Sequence, residues 1–446
     1  VSTRTGGHHP GASIGSKKER LLELGRDSAG SRSRSGQDAR ARQSQESTFR
    51  FDAAIAALLL VPFVMVLGNS ILVPVLPAMR QAMNLSPAQT GLIISAFSVP
   101  AGVLIPFAGF LADRYGRKAV MVPSLVTYGA GGAIAIAAAV FLGERAYGLL
   151  MVGRVVQGLG AAGTANIAMA LAGDLYAGAA RGQALGLLEA SNGFGKVVSP
   201  VLGAALGLVS WFFPFVLFTV LALPVAAAVG LLARDARPES RLPAGRYFAS
   251  ILAVFREKGV PLGAALASGM AVLFLLFGVL FFLSETLETR FGLTGVLKGF
   301  VLALPVLASA VTAYVTGTYL QKLGRRWLVV GGLSLITLVL ASLAVVNSPY
   351  YLYGAIFLIG VGSGSALATL NVLVTGSVPL SQRGMITSDY GAVRFFGVAL
   401  GPPVFGLLMG LGNTVLFLSA TALAALVSAA AFFLIDEKRL SRKPAR

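Results

Sequence analysis

The sequence predicts an all-α polytopic membrane protein, twelve transmembrane helices arranged as two pseudo-symmetric halves of six. Three observations carry that expectation. Of 446 residues, 56% are hydrophobic and only 12% charged, with a mean hydropathy of +0.79, a composition outside the soluble range. Apolar runs long enough to cross a bilayer, about 20 residues, recur along most of the chain. Arg and Lys gather in alternate loops.

In chain order, residues 1–50 form a Ser-, Gly- and Arg-rich tail without apolar periodicity (GSRSRSGQDARARQSQ), read as a disordered basic cytoplasmic tail. It lacks the apolar core of a signal peptide. The first half occupies 51–233, with spans at 52–79, 87–112, 118–141, 147–173, 182–208 and 211–233. Residues 234–260 form a linker in which Phe248, Ile251, Leu252 and Phe255 have the spacing of an amphipathic helix lying on the cytoplasmic face. The second half occupies 261–435, with spans at 261–288, 294–320, 327–347, 349–376, 384–410 and 412–435. A basic tail, 436–446, closes the chain. The runs are continuously apolar and lack the alternating strands of a barrel, so they are helices.

The formal net charge is +18, and its placement is topological. One set of loops holds Arg114, Arg117 and Lys118, Arg181, Arg234 to Lys258, Lys322 to Arg326, Arg383 and the C-terminal tail. The other holds only Arg80, Arg145, Arg290 and Lys298. This is the positive-inside pattern, placing both termini and the linker in the cytoplasm and leaving no reason to invoke nucleic acid. There is no cysteine, and His occurs only at positions 8 and 9; neither thiol chemistry nor a metal site is expected.

The halves share an internal repeat. GFLADRYGRK at 109–118 matches GTYLQKLGRR at 317–326, and RGQALGLLEASNGFGKVVSP at 181–200 matches RGMITSDYGAVRFFGVALGPP at 383–403. Two duplicated halves with a site between them form a transporter architecture. The first motif, with Gly109, Asp113, Arg114, Gly116, Arg117 and Lys118, resembles the signature loop of the major facilitator superfamily. The resemblance covers nearly all of residues 50–436. It implies that Asp113 pairs with basic groups or caps a helix across the interface between halves, gating the cytoplasmic side. The second copy has Gln321 in place of the aspartate.

GRVVQGLGAAG at 153–163, with Arg154, Gln157, Gly158 and Gly160, resembles the fourth-helix motif of the same family. An arginine about 10 Å inside a span needs a carboxylate, water or carbonyls; the resemblance implies that it tunes a protonatable carboxylate, while structural pairing stays open. GKVVSPVLGA at 195–204 resembles the fifth-helix motif of drug:proton antiporters through Gly195, Pro200 and Gly203, with Ser199 and Ala204 replacing glycines. Gly397, Gly401 and Pro402 echo it in the other half.

The fifth span carries the most informative stripe. Glu189, Asn192 and Lys196, at i, i+3 and i+7, share one helix face, Glu189 about 12 Å and Lys196 about 22 Å into the helix. Lipid cannot solvate such a stripe, so it is expected to face a central cavity. An internal ion pair is the competing reading, but about 10 Å of axial separation opposes it. Few acids lie within spans, so Glu189 is the first candidate proton carrier and Asp389 the second. Arg394 adds a third intramembrane cation to Arg154 and Lys196, which favours neutral, zwitterionic or anionic amphiphiles over lipophilic cations. Asn69, Asn166, Asn371 and Thr369 are further cavity candidates, with helix-to-helix bonding the alternative for each.

The combined expectation is a monomeric plasma-membrane secondary transporter that exports drug-like or amphipathic molecules in exchange for protons by alternating access. It needs no cofactor beyond the proton gradient and carries no phosphate-binding loop. A lipid or glycolipid flippase, a small-solute symporter and, more remotely, a non-transporting sensor or scaffold stay open as rivals. An enzyme is not expected, because too few intramembrane polar residues exist to assemble one.

Overall fold

A computed structural model describes residues 1–3, 6, 51–176, 178–235, 244–319, 323–346, 348–378 and 383–441. The tail expected at 7–50, Gln321 and Lys322, and residues 442–446 lie outside the described residues, as do the side chains of Arg246, Phe248, Ile251 and Arg383.

Among the described residues twelve spans follow one another. The first is broken into α1 (Ala53–Ser70) and α2 (Leu76–Ala82), joined by a 3₁₀ turn at Val73–Val75. Then come α3 (Pro87–Tyr115) and α4 (Arg117–Leu142). The fourth span divides into α5 (Tyr147–Ala161) and α6 (Ala165–Leu175). The first half ends with α7 (Gly178–Gly207) and α8 (Phe213–Leu232). The second comprises α9 (Ala244–Thr289), α10 (Gly295–Thr318), α11 (Arg325–Leu343), α12 (Pro349–Gly376), α13 (Arg383–Met409) and α14 (Asn413–Leu434), after which a short α15 (Glu437–Ser441) follows.

Eleven spans among the described residues are long and apolar enough to cross a membrane. The twelfth, α7, is 30 residues long but less apolar, because it contains the Glu189–Asn192–Lys196 stripe. It packs against α1, α6, α8 and α10.

Two spans expected to be continuous are not. Pro74 has no N–H to donate, and α1 ends before it with Leu72 N–H turning back to the Asn69 carbonyl at 3.2 Å. In the fourth span Thr164 leaves helical geometry (φ −112°, ψ −95°), and its hydroxyl donates to the Ala161 carbonyl at 2.6 Å. The linker also differs from expectation. Its helix runs on into the seventh span as α9, and only Gly259, at φ 51°, separates the two.

The halves meet along two principal seams, α3 against α13 and α7 against α10, equivalent positions in the two repeats. Glycine makes each seam close. A methyl group on Gly91 would lie on the backbone of Pro402 and Pro403, one on Gly406 would sit 2.6 Å from the Pro87 carbonyl oxygen, and one on Gly299 would sit 2.7 Å from that of Pro200. These contacts all lie at the end of the bundle remote from the termini, here the far end. The opposite end, where α1 begins and α14 finishes, is the terminus end.

Candidate functional site

The signature loop closes the terminus end of α3. Gly116 stands between α3 and α4 at φ 109°, and a side chain there would strike the Asp235 carboxylate. Asp113 pairs with Arg117 one turn on, and Arg117 Nε reaches Asp174 Oδ2 of α6 at 3.2 Å. Lys118 donates its backbone N–H to Asp235 Oδ1 at 3.3 Å and its ammonium to the Ala233 carbonyl at 3.1 Å. Arg114 is exposed beside the Tyr115 ring, and Gly109 is half-buried in α3. The expectation that Asp113 reaches across the interface is therefore corrected for this conformation: its cluster lies wholly in the first half. Among the described residues no charge of the second half pairs with Asp113 or Arg117.

The second half repeats this cap. Gly324 has φ 81°, and Arg326 donates its backbone N–H to Glu437 Oε1. Both third helices of a half thus begin at a positive-φ glycine, with an acid from just beyond that half's last span accepting an N–H of the first turn. Sequence reasoning missed Asp174, Asp235 and Glu437, because exposed acids near helix ends look like ordinary solvated charges.

Arg154 of α5 is fully buried, and its partners are all neutral. Nε donates to the Ile93 carbonyl at 3.0 Å, Nη1 to the Gly68 carbonyl at 2.8 Å and to Gln157 Oε1 at 2.6 Å, and Nη2 to Asn69 Oδ1 at 2.5 Å. The guanidinium also lies 4.6 Å from the Phe97 ring centre. This corrects two expectations. Among the described residues no carboxylate pairs with Arg154, so tuning an acid is not what it does here. Asn69 is no free cavity ligand either, since its amide nitrogen donates to Ser98 Oγ at 2.6 Å. The pair instead ties α1, α3 and α5 into one body. Gly158 and Gly160 allow this closeness: side chains there would overlap the backbone at Phe97 and Tyr128.

The α7 stripe lies apart from that network. Gly195 packs on Phe63 and Gly203 on the Ile71 carbonyl, which presses this face of α7 onto α1. Glu189 is exposed, and Asn192 and Lys196 are half-buried. The Lys196 ammonium lies within electrostatic reach of Glu189 in its own helix and of Arg394 in α13, across the interface. Among the described residues no ion pair within 4 Å joins Glu189 to Lys196, and none engages Arg394. Asn192 Oδ1 and Arg394 Nε are buried without hydrogen-bond partners, and the Arg394 guanidinium lies 5.2 Å from the Tyr390 ring centre.

Asp389 of α13 is 8% exposed, and its Oδ2 has no partner. Asn166 of α6 approaches α13 at Gly391, while Asn371 is half-buried in α12. Thr369 is buried and bonds its own helix at Ser365. On α13, Gly401 seats on the Phe274 carbonyl of α9, and Pro402 on Gly91. The structure thus puts Lys196 within electrostatic reach of Glu189 and Arg394 and holds Asn69 and Arg154 in a separate α1–α3–α5 network.

Charges at the far end form a further group. Arg80 of α2 pairs with Glu285 of α9 at 2.6 Å, and Ser284 Oγ donates to the Val73 carbonyl at 2.7 Å. Lys298 donates to Glu288 at 2.7 Å and to the Pro74 carbonyl at 2.8 Å. Arg80 and Lys298 are therefore not loop charges, as the sequence suggested. Lys298 lies inside α10, 1% exposed.

Two six-helix halves that meet along the α3–α13 and α7–α10 seams match the sequence pattern of the Major Facilitator Superfamily over residues 58–297 and 265–446. The chain belongs to that superfamily. Its relatives include the bacillibactin exporter of Bacillus subtilis (strain 168), 39% identical over 390 residues, covering 86% of this chain and 97% of that one. The class C tetracycline resistance protein of Escherichia coli is 25% identical over 75% of this chain and 84% of its own. Among solved structures, the D-xylose-proton symporter superposes with a TM-score of 0.72 at 12% identity, covering 86% of this chain and 98% of that one, which speaks to the fold alone. This superfamily member is a multi-pass membrane transporter and not an enzyme.

Proposed function

We propose that this transporter exports amphipathic small molecules in exchange for protons, by alternating access across the plasma membrane, with both termini and the 234–260 linker in the cytoplasm. The observation carrying the reading is the α7 stripe, with Glu189 and Lys196 inside a span and Lys196 within reach of Arg394 from the other half. Charges buried in a membrane mark a transport pathway more often than a structural joint. The relatives add direction: their names describe export of bacillibactin and resistance to tetracycline. A bacillibactin-like cargo is the natural starting point.

The conformation has its far end closed by the α3–α13 and α7–α10 seams, so the site faces the cytoplasm, ready to load. Protons are carried by the intramembrane carboxyls, Glu189 and Asp389; Arg154 supports the helices around them. Asp113, Arg117 and Asp174 form the cytoplasmic gate, meeting the second half when that side shuts. The protein acts as a monomer in this reading.

The test is flux in proteoliposomes under an imposed proton gradient, with internal pH recorded. Native protein should move bacillibactin uphill and release protons into the compartment that the cargo leaves. Glu189→Gln or Asp389→Asn should only equilibrate it. If both variants concentrate cargo as the native protein does, these carboxyls do not carry the proton and the coupling proposal fails.

A further inference from the structure

We propose that Lys196 and Arg394 form a two-cation clamp for an anionic group, so that the cargo of this exporter is an anionic amphiphile. The inference rests on the transport reading above and names the substrate chemistry of that same site. It starts from two intramembrane cations on opposite halves, neither held in an ion pair among the described residues. Lys196 in α7 and Arg394 in α13 belong to opposite halves, yet their charges interact. Counted from the far ends of their helices, Lys196 lies 11 residues before Gly207 and Arg394 15 before Met409, about 17 and 23 Å, so they share a level to within about 6 Å. Two like charges held together in a low-dielectric setting repel, and among the described residues no acid lies within ion-pair distance of either.

Unmet hydrogen-bonding capacity points the same way. Arg394 Nε is buried without an acceptor. Its guanidinium leans on Tyr390, which fixes its plane, and a carboxylate or sulfonate could take the planar fork in bidentate fashion. A lysine ammonium opposite supplies the second point of charge. Asn192, one turn from Lys196, is available to a hydroxyl or amide of the same ligand through its unpartnered Oδ1. Apolar surface lies beside the clamp, with Phe395 next to Arg394 and within 6.5 Å of Phe97 between ring centres. An amphiphile with an anionic head and an aromatic body fits that combination.

The origin of the two cations has a mechanical consequence. An anion bridging Lys196 and Arg394 attracts both halves toward itself, so loading favours closure of the cytoplasmic side. Glu189 is the resident negative charge near Lys196. An arriving anion competes with it for the ammonium.

Binding can be measured apart from transport. Fluorescein and rhodamine 6G share a xanthene core but differ in charge, and their binding to the full chain in nanodiscs is read by fluorescence polarisation. Native protein should bind fluorescein more tightly than rhodamine 6G. Lys196→Gln and Arg394→Gln should each weaken fluorescein about tenfold, the scale of one charge-assisted hydrogen bond, without weakening rhodamine 6G. Lys196→Arg, which keeps the charge and guards against a folding artefact, should stay within about threefold of native. The proposal is overturned if native protein prefers rhodamine 6G or binds no fluorescein, or if both glutamine variants bind fluorescein as native does. Fluorescein binding without proton-driven flux would instead sink the export reading and leave the clamp standing.

Discussion

Arg154 shows most clearly what one residue reveals and conceals. A lone arginine inside an apolar helix is visible in the sequence as a problem needing a solution. The solution is not visible, because two of its four acceptors are the carbonyls of Gly68 and Ile93, groups every residue possesses. Asn69 could be noticed, yet only the fold shows that its two amide atoms are spent on Arg154 and Ser98. The consequence is testable. Arg154→Leu strands those acceptors in a buried place, each worth about 1–3 kcal/mol, and should lower the thermal unfolding temperature in detergent markedly. Arg154→Lys, a point charge with fewer donors, should recover only part of that loss. If Arg154→Leu melts like the native protein and fails only in transport, the arginine belongs to the coupling machinery after all.

At the scale of elements, the spans were legible because twenty apolar residues in succession have few alternatives in a membrane, whereas their interruptions were not. The break at Pro74 has a sequence cause, but Pro62, Pro100 and Pro106 lie inside continuous helices, so proline alone does not locate a break. The paired caps were also hidden. Asp235 and Glu437 lie far in sequence from the helices they cap, and only the match between Gly116 and Gly324, 208 residues apart, hinted at a common geometry. Asp235→Ala should cost about 1 kcal/mol, the usual worth of a lost cap, and Gly116→Ala more, since its φ of 109° excludes a side chain without strain. Chemical denaturation of reconstituted protein would rank the two variants. At the seam, Gly91→Val forces a side chain onto the Pro402–Pro403 backbone. It should push the far end open and reduce cargo binding from the terminus side without altering helix content by circular dichroism.

The whole molecule works by exchanging one sealed end for the other, and its far-end charges bear on how strongly one state is preferred. Arg80 with Glu285 joins the first half to the second, and Lys298 grips the Pro74 carbonyl across the same boundary. Glu285 is nearly buried, with its side chain 5% exposed, and removing one partner of such a pair leaves an uncompensated charge. Each transport cycle has to break these bonds, so they set a bias toward the far-closed state. A modest weakening shifts populations steeply, because about 1.4 kcal/mol is a factor of ten. The absence of native cysteine makes this measurable with a single reporter. With Ser95→Cys, half-buried at the α3–α13 seam where Ser95 Oγ meets the Ala399 carbonyl, labelling by a membrane-impermeant maleimide from the far side should be slow. Glu285→Gln or Arg80→Gln in that background should speed it several-fold, and exchanging the two charges, Arg80→Glu with Glu285→Arg, should slow it again. The same variants should bind cargo more weakly from the terminus side, because apparent affinity scales with the fraction of molecules open there. Unchanged labelling in both single variants would mean that the glycine seams alone hold the far end shut, and that the charges merely neutralise one another within a closure made by packing.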